Sequence, residues 1–166
     1  MAIWGIILAA GSGTRLAAAG LGRKQFLDWR DRPLFWHSVR AFARTPRVAG
    51  LILVFPADEL EAMSARTAEL ERVEPQGLPI VCASGGERRQ DSVRQGLAAL
   101  PPDCRFVLIH DAARPFASPA LVHRLIKALD EGEQAVIPAV AVKDTIKRSR
   151  DLDGREVVAA TLPRSE

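Results

Sequence analysis

Three short segments of the chain carry groups suited to holding a polyphosphate. The first, Leu8-Ala9-Ala10-Gly11-Ser12-Gly13-Thr14-Arg15-Leu16, follows an apolar run and consists largely of small residues. Small side chains let backbone N–H groups approach an anion closely, and Arg15 adds a planar cation. Leu16 stands where a third glycine would complete a dinucleotide fingerprint, and no GxxxxGK[ST] motif occurs. Soon after, Lys24 is followed by Gln25 and by apolar Phe26 and Leu27, a setting for a charge clamp beside such a turn. The second segment, Ser84-Gly85-Gly86-Glu87-Arg88-Arg89-Gln90-Asp91-Ser92-Val93, is a glycine pair opening a helix. The third is His110-Asp111-Ala112-Ala113-Arg114-Pro115-Phe116. Here Asp111 follows apolar Phe106-Val107-Leu108-Ile109, which predicts a carboxylate at the end of a central strand. One carboxylate so placed suits Mg²⁺, with a substrate's phosphates completing the coordination, and Arg114 suits a second phosphate.

Each segment also has a purely structural reading. Glycine permits a tight turn, a basic pair is often a solvated surface, and an acid in a first turn favours a helix entry. Asp111 and Arg114 also suit a simple turn pair. No nucleophile is evident: Ser12 lies between glycines but outside GxSxG, and His37 and His123 fall on helical patterns. His110 suits a bracing role through its ring nitrogens. Cations, one carboxylate and backbone amides are the equipment of phosphoryl or nucleotidyl transfer, where positioning and charge stabilisation dominate.

The surrounding pattern supplies elements to position these loops. Buried strands are expected at Ile3–Ala9, Leu51–Phe55, Pro79–Ala83, Arg105–Ile109 and Ala135–Val142. Helices are expected from Pro33 to Thr45, with Leu34, Phe35, Val39 and Phe42 inward, and from Asp58 to Glu71 on the surface. A third carries Val93, Leu97 and Leu100 inward; a fourth starts at Ser118-Pro119, buries Leu121, Leu125, Ile126 and Leu129, and ends at Gly132. Asp153-Gly154 between Thr145–Arg148 and Val157–Ala159 predicts a hairpin turn. Strands alternating with helices predict an α/β fold: a three-layer, doubly wound, mostly parallel sheet with right-handed crossovers and a hairpin arm. In such a sheet, ligands sit beyond the carboxyl ends of the strands, where all three loops fall.

Length and composition agree with one globular domain over 1–166, since 166 residues can bury about two-thirds of their unfolded surface without staples. Cys82 and Cys104 have no CxxC or histidine companion at metal spacing, which argues against zinc and for reduced thiols. No run reaches the roughly 18 apolar residues of a membrane helix, and the amino end has no basic leader, so a cytoplasmic protein is expected. The net charge of +3 conceals a bias: residues 1–50 hold eight Lys/Arg against two acids, whereas 51–110 hold six against nine and 111–166 nine against nine. The chain has no tyrosine and no dense basic run, so a nucleic-acid stacking platform is poorly supported. A small polyphosphate accounts for the bias more economically.

Together the first segment, Lys24-Gln25-Phe26, Gly85-Gly86-x-x-Arg89-x-x-Ser92-Val93-x-x-Gly96-Leu97, His110-Asp111-Ala112-Ala113-Arg114-Pro115 and Asp144-Thr145-Ile146-Lys147-Arg148 resemble the 2-C-methyl-D-erythritol 4-phosphate cytidylyltransferases. The first segment alone indicates only a Rossmann-like nucleotidyltransferase of the glycosyltransferase-A type; the others are more specific. The resemblance implies that methylerythritol phosphate attacks the α-phosphorus of CTP and that pyrophosphate leaves, a step of non-mevalonate isoprenoid synthesis. Under it, Ala9, Ala10, Gly11, Ser12 and Gly13 surround the triphosphate, and Arg15 and Lys24 stabilise the transition state. Gly86, Glu87 and Ser92 face cytosine and ribose, with Ala112 beside the nucleotide. Asp111 holds Mg²⁺, while Arg114, Thr145 and Arg164 bind the sugar-alcohol phosphate. The hairpin within 143–161 embraces a second subunit in a homodimer.

The chain departs from the family pattern at Arg23, where a proline is usual. It also stops at Glu166, whereas the family continues to a Gln-Thr-Pro-Gln segment, a second metal carboxylate and a substrate-binding lysine; a truncated carboxyl end is therefore expected. Two alternatives accompany this reading: a ribitol-phosphate cytidylyltransferase, which shares the loops, and a noncatalytic nucleotide-binding or dimerisation module.

Overall fold

Hydrophobic runs at the amino end and in the middle of the chain become adjacent strands because each is apolar on both faces. β1, Ala2–Leu8, lies between β4, Val48–Phe55, and β6, Cys104–Asp111, and β5, Ile80–Ser84, pairs with the far side of β4. All three pairings are parallel, giving the order β5-β4-β1-β6. Alternation along the strands separates the buried side chains by face. Ile3, Ile7, Leu51, Leu53 and Phe55 join one cluster, and Trp4, Ile6, Leu8, Ile52 and Val54 join the other. The computed structural model describes residues 2–11 and 23–163. It divides into the compact units Met1–Val136 and Ile137–Glu166.

Three helices feed the first cluster: α1, Leu34–Ala43, α2, Leu60–Val73, and α4, Pro119–Asp130. A 3₁₀ turn, Ala57–Glu59, leads into α2. The small hairpin of β2, Asp28–Trp29, and β3, Arg32–Pro33, precedes α1. Ser118 caps α4 by accepting the Leu121 N–H at 3.2 Å. The buried stripe of α4 is Val122, Ile126 and Leu129, rotated from the expected one so that Leu121 and Leu125 lie at its margin. With α3, Arg89–Ala98, against the opposite face, the sheet is the middle of three layers, as expected.

Helix α3 corrects a periodicity reading. Its buried face is Ser92 and Gly96, while Leu97 is 43% exposed and Val93 and Leu100 pack at the margin of the second cluster. A Cβ at Gly96 would lie 2.8 Å from Ile6 Cγ2, so the missing side chain lets the helix come down onto the sheet. Close approach at a small residue here outweighs the pull of the larger apolar side chains.

Two further expectations fail. Strand β6, which ends in Asp111, is an edge of the sheet among the described residues rather than a central strand. The strand expected at Ala135–Val142 is absent: the segment has no regular structure, and Ile137, Val140 and Val142 are 85%, 91% and 54% exposed. An apolar run becomes a strand only where a neighbouring backbone supplies its ladder, and none of the described residues does so. In the second unit, β7, Lys147–Leu152, and β8, Arg155–Thr161, pair antiparallel. Asp153 and Gly154 close them with φ of 52° and 76°, the double left-handed turn that an Asp-Gly pair favours.

A buried-edge charge network ties α1 to the segment after α2. Glu74 accepts from Arg40 Nε and Arg40 Nη2, both at 2.6 Å, and from Trp36 Nε1 at 3.1 Å. The Arg40 hydrogen bonds, opposed by partial burial and helped by Trp36, hold the Glu74 carboxyl down from an ordinary 4.5 to about 2. A depressed folded-state pKa stabilises above the unfolded value and is lost as pH falls toward the folded one. Relative to Glu74→Gln, the wild type is therefore expected to gain about 1–2 kcal/mol at neutral pH and to lose it between about pH 5 and 2. The gain is less than the full displacement implies, because a quarter of the Glu74 side chain (25%) faces water. Urea midpoints of both proteins across that range check this.

Candidate functional site

The carboxyl ends of β1, β5 and β6 open onto a cavity of about 660 Å³. Leu8, Ala10 and Gly11 line it from the end of β1, Lys24 and Gln25 from the next segment, Gly86 to Arg89 and Ser92 from the entry to α3, and Asp111, Ala113 and Arg114 from the end of β6. Four cationic side chains, Lys24, Arg88, Arg89 and Arg114, face two carboxylates, Glu87 and Asp111, so the lining favours an anion.

Local contacts explain why the loops meet. Ala9 donates its N–H to Val54 O at 2.8 Å, and Gly85 donates to Phe55 O at 2.7 Å, so both turns hang from the end of β4. A Cβ at Gly85 would lie 2.4 Å from Ala10 Cβ and 3.1 Å from Phe55 O; glycine is what lets the second loop touch the first. Ser92, 4% exposed, uses its hydroxyl to accept the Gly86 N–H at 3.1 Å, so it shapes the loop as well as lining the cavity. Asp91 closes the entry to α3 by accepting the Arg88 N–H at 3.3 Å and Arg88 Nε at 2.8 Å. The Arg88 side chain chiefly holds the Asp91 carboxyl below the usual carboxylate range.

At the end of β6, Asp111 Oδ1 accepts from Arg89 Nε at 3.1 Å and Arg89 Nη2 at 2.9 Å, and Oδ2 lies 3.4 Å from Arg114 Nε. The turn is tight: Arg114 donates its N–H to Asp111 O at 2.9 Å, and Ala112 donates to Leu8 O at 2.9 Å. His110 braces it from below, with Nε2 3.2 Å from Ser38 Oγ and its ring 5.2 Å from that of Phe42. Burial chiefly holds the His110 imidazole below its ordinary pKa.

Lys24 opens a 3₁₀ turn, Lys24–Phe26, and its side chain is exposed at the cavity. Arg23, in place of the usual proline, pairs with Asp58 and Glu59, each at 3.0 Å, and so ties this turn to the entry of α2.

The structure thus brings together Ala10, Gly11, Lys24, Gly86, Glu87, Ser92, Asp111 and Arg114. Ala9 and Ala112 are 1% and 0% exposed and lie beneath the lining, with Ala113 on the cavity side of Ala112. Ser12, Gly13, Arg15 and Arg164 lie outside the described residues. Thr145 belongs to the second unit, where it is exposed just before β7. Gln25, Arg88 and Arg89 also line the cavity, although the sequence by itself points to no role for them. Arg89 does stand in the glycine-pair motif, but its contact with Asp111 spans 22 positions and leaves no local signal. Asp111 is the carboxylate best placed to hold a divalent cation. No group of three or more His, Cys, Asp or Glu side chains that could hold a metal ion occurs among the described residues. No helix among those residues is long and apolar enough to cross a membrane.

The family model for 2-C-methyl-D-erythritol 4-phosphate cytidylyltransferase matches residues 3–166. The chain is 50% identical over 167 residues to the bifunctional enzyme IspD/IspF of Solidesulfovibrio magneticus, covering all of the chain (100%) and 41% of that protein. It is 35% identical to the 2-C-methyl-D-erythritol 4-phosphate cytidylyltransferase of Acidobacterium capsulatum, over 99% of the chain and 68% of that protein. The solved 4-diphosphocytidyl-2C-methyl-D-erythritol synthase of Anaerococcus prevotii aligns with a TM-score of 0.76 at 30% identity, over 99% of this chain and 65% of that one. The chain therefore spans less than half of the first of these relatives.

Proposed function

Because the chain belongs to the 2-C-methyl-D-erythritol 4-phosphate cytidylyltransferase family, we propose that the protein transfers the cytidylyl group of CTP to 2-C-methyl-D-erythritol 4-phosphate. An oxygen of the acceptor's phosphate bonds to the α-phosphorus, the bond to the β-phosphate bridging oxygen breaks, and pyrophosphate leaves. The observation that carries the reading is the convergence of Ala10 and Gly11, Lys24, the Gly86–Glu87 loop and Asp111 on one cavity with a cationic lining.

Each group has a part that follows from its chemistry. Backbone amides of the turn at Ala9–Gly13 hold phosphate oxygens, and Lys24 with Arg15 neutralises charge that accumulates around the α-phosphorus. Gly86 and Glu87 take the base and ribose, with Ser92 holding the loop and Ala112 supporting Ala113 beside the nucleotide. Arg114 binds the acceptor, and the family resemblance gives Thr145 and Arg164 the same part. Asp111 would hold Mg²⁺, an ion that supplies further positive charge to the phosphates when bound. Arg89 and Arg114, which contact Asp111, stand beside it as further cations for the phosphates. The protein acts in the cytoplasm as a homodimer, with the β7–β8 hairpin as the arm between subunits; every residue of β7 is exposed and open to such a partner.

The test is pyrophosphate release by the complete protein with CTP and Mg²⁺. Release is expected with 2-C-methyl-D-erythritol 4-phosphate, accompanied by a cytidine diphosphate ester of that alcohol. Release with ribitol 5-phosphate in its place, or with neither acceptor, would overturn the assignment.

A further inference from the structure

Gln25 is one of the few buried polar side chains, 5% exposed, and its carboxamide spans two segments. Nε2 donates to Ala9 O at 2.7 Å and to Gly11 O at 2.9 Å, which uses both of its hydrogens. Its own segment is anchored by Phe26, whose ring lies 6.4 Å from Phe35 and 6.1 Å from Phe55 in the core. The turn is anchored on its other side by the bond from Ala9 N to Val54 O at 2.8 Å.

We propose that Gln25 is the positioning residue of the phosphate site, setting the Gly-rich turn and the Lys24 ammonium in one fixed relation. Two features of peptide geometry support this. The carbonyl and the following N–H of a peptide point in opposite directions, so a carbonyl of Ala9 turned to Gln25 directs the Ala10 N–H away from it. Both carbonyl oxygens are also occupied, which removes two negative dipole ends from the surroundings of an anion. Lys24 is the immediate neighbour of Gln25, so the anchor that holds the turn also fixes the backbone from which the ammonium reaches the cavity. Without it, the two anion-binding segments would lose both side-chain hydrogen bonds that link them among the described residues, and more of their order would have to form when the nucleotide binds.

The inference rests on the nucleotide reading above, and the test separates the two. Gln25→Glu keeps size but replaces both donors by an acceptor; Gln25→Met keeps approximate volume with no donor. Binding of CTP and of CMP to the complete protein is measured by calorimetry, with thermal midpoints taken without nucleotide. Both variants are expected to bind CTP about 10- to 100-fold more weakly, an energy of one to two buried hydrogen bonds, with CMP affinity changed by less than about threefold. They are also expected to lower kcat while KM for the acceptor stays constant. Equal loss of CTP and CMP binding, or unchanged CTP binding in either folded variant, would overturn the positioning role. If the wild type itself did not favour CTP over CMP, the nucleotide reading would fall and this inference with it.

Discussion

Lys24→Ala in the complete protein is expected to lower kcat for cytidylyl transfer by about 10²- to 10³-fold, the loss typical of removing one preorganised charge donor. The Lys24 backbone is held on both sides: Arg23 pairs with Asp58 and Glu59, and Gln25 bonds to the Gly-rich turn. A cation held at a set position costs little reorganisation when negative charge gathers around the α-phosphorus. The ground-state complex uses the charge less, so KM for CTP should rise by a smaller factor than kcat falls. Lys24→Arg should recover only part of the rate, because a planar fork replaces a compact point charge. Steady-state rates for the three proteins, with folding checked by circular dichroism, decide the matter. A kcat within about threefold of wild type for Lys24→Ala would place Lys24 on the surface as a bystander.

The second large effect is expected at Asp111. Asp111→Asn retains shape and removes the one carboxylate at the end of β6 that faces the cavity among the described residues. A neutral amide is a poor partner for Mg²⁺, so the rate at fixed Mg²⁺ should fall by about 10³-fold, and the Mg²⁺ concentration for half-maximal rate should rise. The substitution also releases Arg89 and Arg114 from their contact with the carboxylate. If that pairing only competed with phosphate, Asp111→Asn would bind CTP more tightly in the absence of metal. The metal titration distinguishes the two variants: Lys24→Ala should shift the rate without shifting the Mg²⁺ midpoint, and Asp111→Asn should shift both. An unchanged midpoint for Asp111→Asn would remove Asp111 from the metal site.

Much of the scaffold was legible in the linear chain because the relevant forces act locally. Four of the five apolar runs of strand length, the Ser118-Pro119 helix start and the Asp153-Gly154 turn are written in neighbouring residues and appear where expected. The errors arise where a local pattern needs a distant partner. Ala135–Val142 has the composition of a strand but no neighbour to complete its ladder. The buried face of α3 was decided by how closely Gly96 approaches Ile6, which hydrophobic spacing along the helix does not reveal. Similarly, Ala112 shares a motif with Ala113, but only the backbone path at the end of β6 determines which of the two is in the core.

By itself the sequence determined the chemical inventory: a turn of small residues, a lysine, a glycine pair, a carboxylate and an arginine. It also determined the resemblance that points to a cytidylyl transfer. Only the tertiary structure decided that these groups share one cavity, that Gly85 must be glycine because Ala10 touches it, and that Gln25 binds the turn 14 and 16 positions away. Residue types set which bonds are possible, but the distances between separated segments are set by how their strands and helices pack.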